Sequence, residues 1–415
     1  MPLRILHFAD AHIDIANYGR HDPITGLPYR VVDYLKSLDA IVDAAIDERV
    51  DLVIFAGDAY KDRNPQPTFQ RAWGERMMRL SRAGIPTLLL IGNHDIAPAE
   101  SRAHTLQEYT TLAVPHIFVA DSLRLWRPEE LGVPVQVLAL PWITRSRFMA
   151  RHDMAGRSIE EIHDIILNRI RDSLETTLAT EIDPAVPLIL TAHASIVGAN
   201  YGSERLVMLG QDLALSKDLV TDPRIDYVAL GHIHKHQVLH HQPPVVYAGS
   251  IERIDFGETK EKKGYVLAEV SRGHTTWRFV PLETRPFYDY QIRVEARDDF
   301  MEYIMERLLS PEKLADSICR LRLEYPNELD GMLDEKAIRD HHDGAFHFKL
   351  AKNRLGSQKT RLGGLGTVES LGPYELLDLY WQTKSRPAEE IAGLLGLAEE
   401  ILDIHPAAAN DQPAT

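Results

Sequence analysis

The chain has 415 residues, enough for two or three domains of ordinary size. It carries 46 Lys and Arg against 61 Asp and Glu, a net charge of -15, and 44% of its residues are hydrophobic. This balance excludes a disordered chain, a collagen-like chain and a generic basic nucleic-acid coat protein. It does not exclude an enzyme that acts on nucleic acid, because bound metal ions can invert the local field.

Cysteine usage and hydropathy limit the cellular compartment and the kinds of metal site. The single cysteine, Cys319, excludes an intramolecular disulfide and a multi-thiolate zinc site. The N-terminus lacks the form of a signal peptide, and no window approaches roughly 18 uninterrupted apolar residues. We therefore expect a cytoplasmic protein with no membrane-spanning helix.

The first two-thirds of the chain repeats one pattern, in which a short apolar run ends in a polar side chain able to bind metal. These runs are Leu3–Ala9, Leu52–Ala56, Thr87–Ile91, Leu188–Thr191 and Tyr227–Leu230. Amphipathic helical patterns lie between them, at Tyr34–Ile46, Thr68–Ala83 and Ile159–Leu178. This alternation predicts an α/β fold with a parallel or mixed sheet, which binds ligands outside the carboxyl ends of its strands.

The last third of the chain has a different pattern. Strand-like segments from Val245 to Leu282 predict an antiparallel completion of the first domain, and alternating strands and helices between Tyr288 and Ala351 predict a small α+β domain. A basic Gly-rich linker and two short apolar helices follow, and the helix pair is too small to bury its own apolar face. The predicted divisions are 1–284, 285–352, the linker 353–372, the helical segment 373–405 and a tail 406–415.

Eight side chains at or just after the predicted strand ends combine imidazole nitrogen with carboxylate and amide oxygen. They are Asp10, His12, Asp58, Asn93, His94, His193, His232 and His234. A sulfur-free donor set of this kind suits divalent ions such as Mn, Fe or Zn, and its size suits two ions that share one carboxylate. His232 and His234 alternate, so on an extended segment both imidazoles point toward one site. Two neighbouring ions predict hydrolysis of a phosphoester.

In this order the motifs resemble the five-block signature of calcineurin-like metallophosphoesterases. The blocks are Asp10-x-His12, Gly57-Asp58, Gly92-Asn93-His94-Asp95, His193 and Gly231-His232-x-His234. The opening Ile5–His12 and the passage Tyr247–Glu258, followed by Lys263-Gly264-Tyr265, are similar to SbcD-type nucleases, the bacterial relatives of the Mre-eleven repair nucleases. After residue 285 the resemblance rests on the order and size of the segments.

The resemblance implies a sandwich of mixed sheets flanked by helices, a small α+β DNA-capping domain and a C-terminal helix pair that binds the partner. It also implies two Mn²⁺ ions, with other divalent metals possible, and a role for each motif residue. The implied roles are Asp10, His12 and His234 for one ion, Asn93, His193 and His232 for the other, Asp58 as the bridge and His94 as the catalytic acid.

One position departs from the family pattern. Relatives often carry His or Asp three residues after the bridging aspartate, whereas this chain has Lys61, followed by Asp62. The Lys61 side chain can contact phosphate as a point charge, but it cannot accept a hydrogen bond from His94. Lys61 and Asp62 are therefore candidate substrate-binding residues, and Asp62 is the candidate that orients His94.

Three hypotheses follow for the function. The first is a Mn-dependent DNA exonuclease and endonuclease that works with an SbcC/Rad-fifty-type coiled-coil ATPase in DNA end processing and double-strand-break repair, as a homodimer within a heterotetramer. The second is a metallophosphoesterase for a small phosphodiester or phosphomonoester, which has little need of the additional domain and helices. The third is a non-catalytic scaffold, which is disfavoured by the cost of burying so many polar groups without metal.

Overall fold

A computed structural model describes residues 2–19, 21–96, 103–144, 156–202, 213–355, 377, 380–381 and 388–402. The chain divides into two compact units. The first consists of Met1–Asp289, Pro311–Arg320 and His342–Phe348, and the second of Tyr290–Ser310, Leu321–His341 and Lys349–Thr415.

The described residues form seventeen strands and ten α-helices. In chain order the strands are β1 (Leu3–Phe8), β2 (Leu52–Phe55), β3 (Thr87–Leu90), β4 (Ile117–Ala120), β5 (Arg124–Trp126), β6 (Gln136–Leu140), β7 (Leu188–His193), β8 (Ser195–Ile196), β9 (Ala214–Leu215), β10 (Tyr227–Gly231), β11 (Gln237–His241), β12 (Pro244–Tyr247), β13 (Gly264–Ser271), β14 (His274–Pro281), β15 (Phe287–Arg293), β16 (Ile318–Pro326) and β17 (His347–Leu355). The helices are α1 (Tyr29–Asp47), α2 (Pro67–Arg82), α3 (Gln107–Thr111), α4 (Pro128–Leu131), α5 (Ile159–Thr180), α6 (Lys217–Val220), α7 (Phe300–Glu306), α8 (Pro311–Leu314), α9 (Glu335–His341) and α10 (Ala388–Leu402), with 3-10 turns at Phe256–Glu258 and Asn327–Met332.

Two six-stranded sheets form the body of the first unit. Their strand orders are β14-β13-β1-β2-β3-β4 and β11-β12-β10-β7-β6-β5. The strands from β1 to β4 are parallel, as are β12, β10, β7 and β6, whereas β13, β14, β5 and β11 pair antiparallel toward the sheet edges. The prediction of mixed sheets is confirmed. The β13–β14 hairpin is the expected antiparallel completion, whereas β12, at the start of the same predicted stretch, pairs parallel with β10.

The two sheets stack face to face between layers of helices, because successive side chains of a strand point alternately toward the other sheet and toward the helices. In β1, Ile5 lies in the core between the sheets, which also contains Ala229 of β10, while the next residue, Leu6, lies in the core shared with Tyr34 of α1. The outer face of the second sheet packs in the same way against α5 through residues such as Ile166. The resulting order of layers is helix, sheet, sheet and helix, and it brings the carboxyl ends of the parallel strands of both sheets together.

The elements predicted after residue 285 are present. The strands β15, β16 and β17 form a three-stranded sheet in that order, and the helices α7 and α9 lie between them along the chain. In the second unit Phe300 and Ile338 are buried, and the rings of Phe300 and Tyr325 lie 5.7 Å apart. The strand β17 continues to Leu355, past the predicted start of the linker at residue 353.

The C-terminal predictions are covered only in part. The helix α10 matches the second member of the predicted pair, whereas the linker from residue 356 and most of the first member lie outside the described residues. Among the helices of the described ranges, none combines the length and the apolarity that a membrane crossing requires.

Candidate metal centre

Five parallel strands from the two sheets deliver polar side chains to one edge of the sandwich. Asp10, Asp58 and Asn93 follow β1, β2 and β3, while His193 ends β7 and His232 follows β10. All of these side chains are buried except Asn93, which is half-buried. The edge is the one that the sequence pattern predicts.

The backbone at these strand ends adopts the left-handed region, which residues other than glycine rarely occupy. The φ angles are 50° at Asp10, 41° at His12, 66° at Asp58 and 95° at His232. Hydrogen bonds compensate for this strain: the amide of His232 donates to Oδ1 of Asp10 at 3.0 Å, and the amide of Ala11 donates to the carbonyl oxygen of Asp58 at 2.8 Å. Such strain concentrates at functional sites, where surrounding contacts hold it in place.

Asp10, His12 and His234 form the first group of donors, with ligand atoms within 4.8 Å of one another. Nδ1 of His12 lies 3.2 Å from the carbonyl oxygen of Tyr60, and Nδ1 of His234 lies 3.0 Å from a carboxylate oxygen of Glu258. Because these oxygens accept, each Nδ1 carries the hydrogen and each Nε2 presents a lone pair. The two Nε2 atoms lie 3.2 Å apart, an approach that favours a cation between them. The residues therefore fit a divalent metal.

Asn93, His193 and His232 form the second group. Oδ1 of Asn93 lies 2.9 Å from Nε2 of His193 and 3.0 Å from Nδ1 of His232. Nδ1 of His193 lies 2.7 Å from the carbonyl oxygen of Ala56, so that nitrogen carries the hydrogen and Nε2 faces the amide oxygen. Imidazole nitrogen with amide oxygen again suits a borderline divalent ion.

The Asp58 carboxylate lies between the two groups. Its Oδ2 is 3.4 Å from Nε2 of His193 and 3.8 Å from Nε2 of His12. Burial disfavours charge on this pair, yet His193 holds the pKa of Asp58 well below 3.8, and Asp58 raises the pKa of His193 to about 9. Burial also raises the pKa of Asp10 and lowers that of His12 well below 6.5. A metal ion held by His193 would therefore compete with the proton of that imidazole.

His94 is held beside this centre by backbone contacts. Its amide donates to Oδ1 of Asp58 at 2.8 Å, and its Nδ1 lies 2.8 Å from the carbonyl oxygen of Lys61. The prediction that Asp62 orients His94 is wrong, because the main chain of Lys61 accepts that hydrogen bond and Asp62 accepts the amide of Asn64 at 2.9 Å. Burial lowers the pKa of His94, against the opposing charge of Asp58.

The Lys61 side chain points at the same ring from the solvent side. Its Nζ lies 3.3 Å from Nε2 of His94, and the residue is exposed. Both residues line an open cavity of about 1140 Å³, together with Asp14, Arg63 and Asn64. The cavity gives a polar substrate a route to the His94 side of the centre.

His232 and His234 do not lie on an extended segment, which is what their alternation in the sequence predicts. The strand β10 ends at Gly231 and the chain turns at His232, so the segment is not extended. The two imidazoles reach one centre, but His232 lies beside Asn93 and His234 beside His12. A turn therefore distributes the two rings between the two groups.

Asp95 is a buried residue of the Gly92–Asp95 motif to which the sequence assigned no role. Its carboxylate accepts the amides of Asp58 at 2.8 Å, Ala59 at 3.1 Å and Gly92 at 2.9 Å, and so ties two ligand-bearing loops together. An aspartate that closes a turn often binds backbone amides, and that tendency is the signal that could have identified it.

The comparisons with known proteins agree with this geometry. The model of the calcineurin-like phosphoesterase family matches residues 3–236. The DNA double-strand break repair protein Mre11 of Archaeoglobus fulgidus is 22% identical over 336 residues, which cover 77% of this chain and 68% of that protein.

Two solved structures resemble part of the chain. The protein TT1561 of Thermus thermophilus has a TM-score of 0.38 and 16% identity, covering 67% of this chain and 99% of that one. A dimetal phosphatase from Danio rerio has a TM-score of 0.40 and 11% identity, covering 67% of this chain and 96% of that one. The family model itself spans more than half of the sequence. The chain therefore belongs to the calcineurin-like phosphoesterase family and is a metal-dependent phosphoesterase, as its motifs predict.

Proposed function

We propose that this protein is a Mn-dependent DNA nuclease that hydrolyses phosphodiester bonds at DNA ends during double-strand-break repair. The observation that carries the proposal is the convergence of imidazole, carboxylate and amide groups from five strands on one buried centre. The similarity to an archaeal protein named for double-strand break repair, over 77% of the chain, supports DNA as the substrate.

The ligand assignment that we propose follows the two groups of donors. Each group would hold one divalent ion, and Asp58, whose Oδ2 lies 3.4 Å from one group and 3.8 Å from the other, would be shared. The proposed ligands are Asp10, His12 and His234 for one ion, Asn93, His193 and His232 for the other, and Asp58 for both. Bound divalent ions supply positive charge to phosphate oxygens and acidify water at the site.

The residues around this centre divide the remaining work. His94 is half-buried at the border of the cavity. In its protonated form, which burial disfavours and the charge of Asp58 favours, it would give the proton of Nε2 to the departing oxygen. The carbonyl oxygen of Lys61 fixes the ring of His94, and the Lys61 ammonium attracts the phosphate chain into the cavity. Asp62 lines the same cavity and is the second proposed substrate contact, with one of its carboxylate oxygens accepting the amide of Asn64 at 2.9 Å.

The same proposal covers the C-terminal part of the chain. The α+β segment 285–352 would cap DNA, and the helical segment 373–405 would bind a coiled-coil ATPase of the SbcC/Rad-fifty type, with two copies of each chain in the complex. Apolar side chains that remain exposed support this role, since Leu397 of α10 is 54% exposed. Replacing Leu397 with Asp would weaken ATPase binding in a pull-down, whereas Leu112→Asp, at an exposed apolar site in the first unit, would leave it unchanged.

Digestion of a labelled linear duplex tests the proposed activity. We expect products with Mn²⁺, none with a chelator, and a loss of about 10²- to 10⁴-fold in His94→Gln, because that variant lacks the proton donor. A cyclic nucleotide and a phosphomonoester assayed in parallel separate the alternatives. Hydrolysis of only the small substrates would replace the nuclease with a small-molecule phosphoesterase, and no hydrolysis of any substrate would favour a scaffold.

A further inference from the structure

The passage Tyr247–Glu258, followed by Lys263, contains none of the proposed metal ligands, yet it ends in a buried ion pair beside them. Glu258 and Lys263 are 0% and 1% exposed, and Oε2 of Glu258 lies 2.9 Å from Nζ of Lys263. Charged side chains are rarely buried without a specific partner or task. Their position beside His234 indicates which task this pair performs.

We infer that Glu258 is a positioning residue that fixes the imidazole of His234 for metal binding. Oε1 of Glu258 lies 3.0 Å from Nδ1 of His234. A carboxylate accepts here, so Nδ1 keeps its hydrogen and the lone pair of Nε2 faces His12 and Asp10. Carboxylates in this position also increase the basicity of a ligating histidine. The inference rests on the proposed role of His234 as a ligand.

The second oxygen of Glu258 anchors the carboxylate itself. Oε2 accepts the amide of Ile254 at 2.8 Å and lies beside the Lys263 ammonium. The same ammonium donates to the carbonyl oxygen of His234 at 3.0 Å and to Glu261 at 2.8 Å. Glu258 and Lys263 therefore hold both the imidazole ring and the main chain of His234. The hydrogen bond to Glu258 leaves the His234 ring little freedom to rotate.

The neighbouring arginine connects this passage to the rest of the first unit. Arg253 donates to the carbonyl oxygen of Glu261 at 2.8 Å, and Arg30 of α1 donates to the carbonyl oxygen of Arg253. Arg30 also donates to Asp33 at 2.8 Å. The loop that carries Glu258 is thereby fixed to α1, which explains how a residue outside regular strands can set a ring orientation.

Metal titration of chelator-treated protein tests the inference without any DNA substrate. Mn²⁺ is titrated into the wild-type full-length chain, into Glu258→Gln and Glu258→Ala, and into the control Glu269→Gln, an exposed residue of β13. We expect one of two Mn²⁺ affinities to fall about 10-fold in Glu258→Gln and about 100-fold in Glu258→Ala, while the other affinity and the Glu269→Gln control stay unchanged. Glu258→Asp should recover part of the affinity.

Measuring both Mn²⁺ affinities distinguishes a positioning role of Glu258 from a purely structural one. A general loss of folding would weaken both affinities together and lower the unfolding temperature in chelator, and that result would overturn the inference. Equal affinities in the wild type and Glu258→Ala would overturn it as well, while leaving the proposed function intact. Wild-type protein that binds no Mn²⁺ would overturn both the inference and the proposed metal centre.

Discussion

The carbonyl oxygen of Lys61 lies 2.8 Å from Nδ1 of His94, and the ammonium of the same residue lies 3.3 Å from Nε2 of that ring. Because a carbonyl oxygen only accepts, the hydrogen of the neutral ring sits on Nδ1. The orientation of His94 therefore depends on the main chain at residue 61, whereas the charge in front of the ring depends on the side chain.

Replacing Lys61 with Met separates these two contributions. The ring of His94 should keep its orientation, and duplex cleavage should fall about fivefold in kcat/KM, since an exposed charge contact is worth on the order of 1 kcal/mol. The measurement compares kcat/KM for duplex cleavage by Lys61→Met with that of His94→Gln, at low and at high salt. A Lys61→Met enzyme as inactive as His94→Gln would assign the lysine itself to the chemical step.

Asp95 stabilises the loops that carry the centre. Asn in its place keeps one acceptor oxygen but turns an NH₂ group either toward the amides of Asp58 and Gly92 or toward the Ala59 amide and the Thr105 hydroxyl. The free energy of unfolding should drop by on the order of 3 kcal/mol, as expected when buried donors lose their acceptor. Urea unfolding measures it, with the exposed Asp164→Asn as the matched control. Equal stability of both variants would remove the loop-tying role.

Gly92 is required for space rather than for backbone freedom. A Cβ atom there would lie 2.2 Å from Oδ1 of Asp58, whereas a Cβ at Gly344 would meet nothing within 4 Å. Gly92→Ala should cost about 1–3 kcal/mol in unfolding free energy and weaken Mn²⁺ binding at least about tenfold, because Asp58 must move. Gly344→Ala should change neither quantity. Unaltered Mn²⁺ affinity in Gly92→Ala would argue against a role for Asp58 as ligand.

His7, which is buried within β1, makes the stability of the protein depend on pH. Burial lowers its pKa from 6.5 to about 3, and its neutral ring lies 3.0 Å from the Tyr227 hydroxyl and 3.2 Å from the Leu230 carbonyl oxygen. Below pH 6.5 the unfolded chain binds a proton that the folded chain does not, so stability is fully present above pH 6.5 and declines toward pH 3. At pH 5 the loss should be about 2 kcal/mol.

Urea unfolding of wild type and His7→Gln at pH 7.5 and pH 5 isolates this contribution, since other titrating groups are common to both chains. The wild type should lose about 2 kcal/mol more than the variant on acidification. The same pH dependence in both proteins would show that His7 titrates alike in the folded and unfolded states.

The sequence predicts much of the centre because each donor follows an apolar run. Asp10, Asp58 and Asn93 could be assigned to one edge without coordinates, since parallel strands present their carboxyl ends together. The stacking of two sheets in one sandwich came from the family resemblance rather than from periodicity. A period of two places Ile5 and Leu6 on opposite faces, but it does not identify what covers each face.

The residues that the sequence could not assign act through backbone atoms or across long separations. The acceptor for His94 is a main-chain oxygen, which has no residue type to detect. Glu258 lies 24 positions from His234, in a 3-10 turn that no hydrophobic pattern marks. The turn at His232 likewise depends on its hydrogen bonds to Asp10, and without them the alternating histidines predict an extended segment.

The metal content of the protein tests the central claim most directly. Chelator-treated chain is dialysed against Mn²⁺ and its bound metal is measured by elemental analysis, beside Asp58→Ala and His94→Gln. We predict about two ions per chain in the wild type and in His94→Gln, and fewer in Asp58→Ala, because that carboxylate lies between both donor groups. One ion or none in the wild type, or an undiminished content in Asp58→Ala, would contradict a shared two-ion centre.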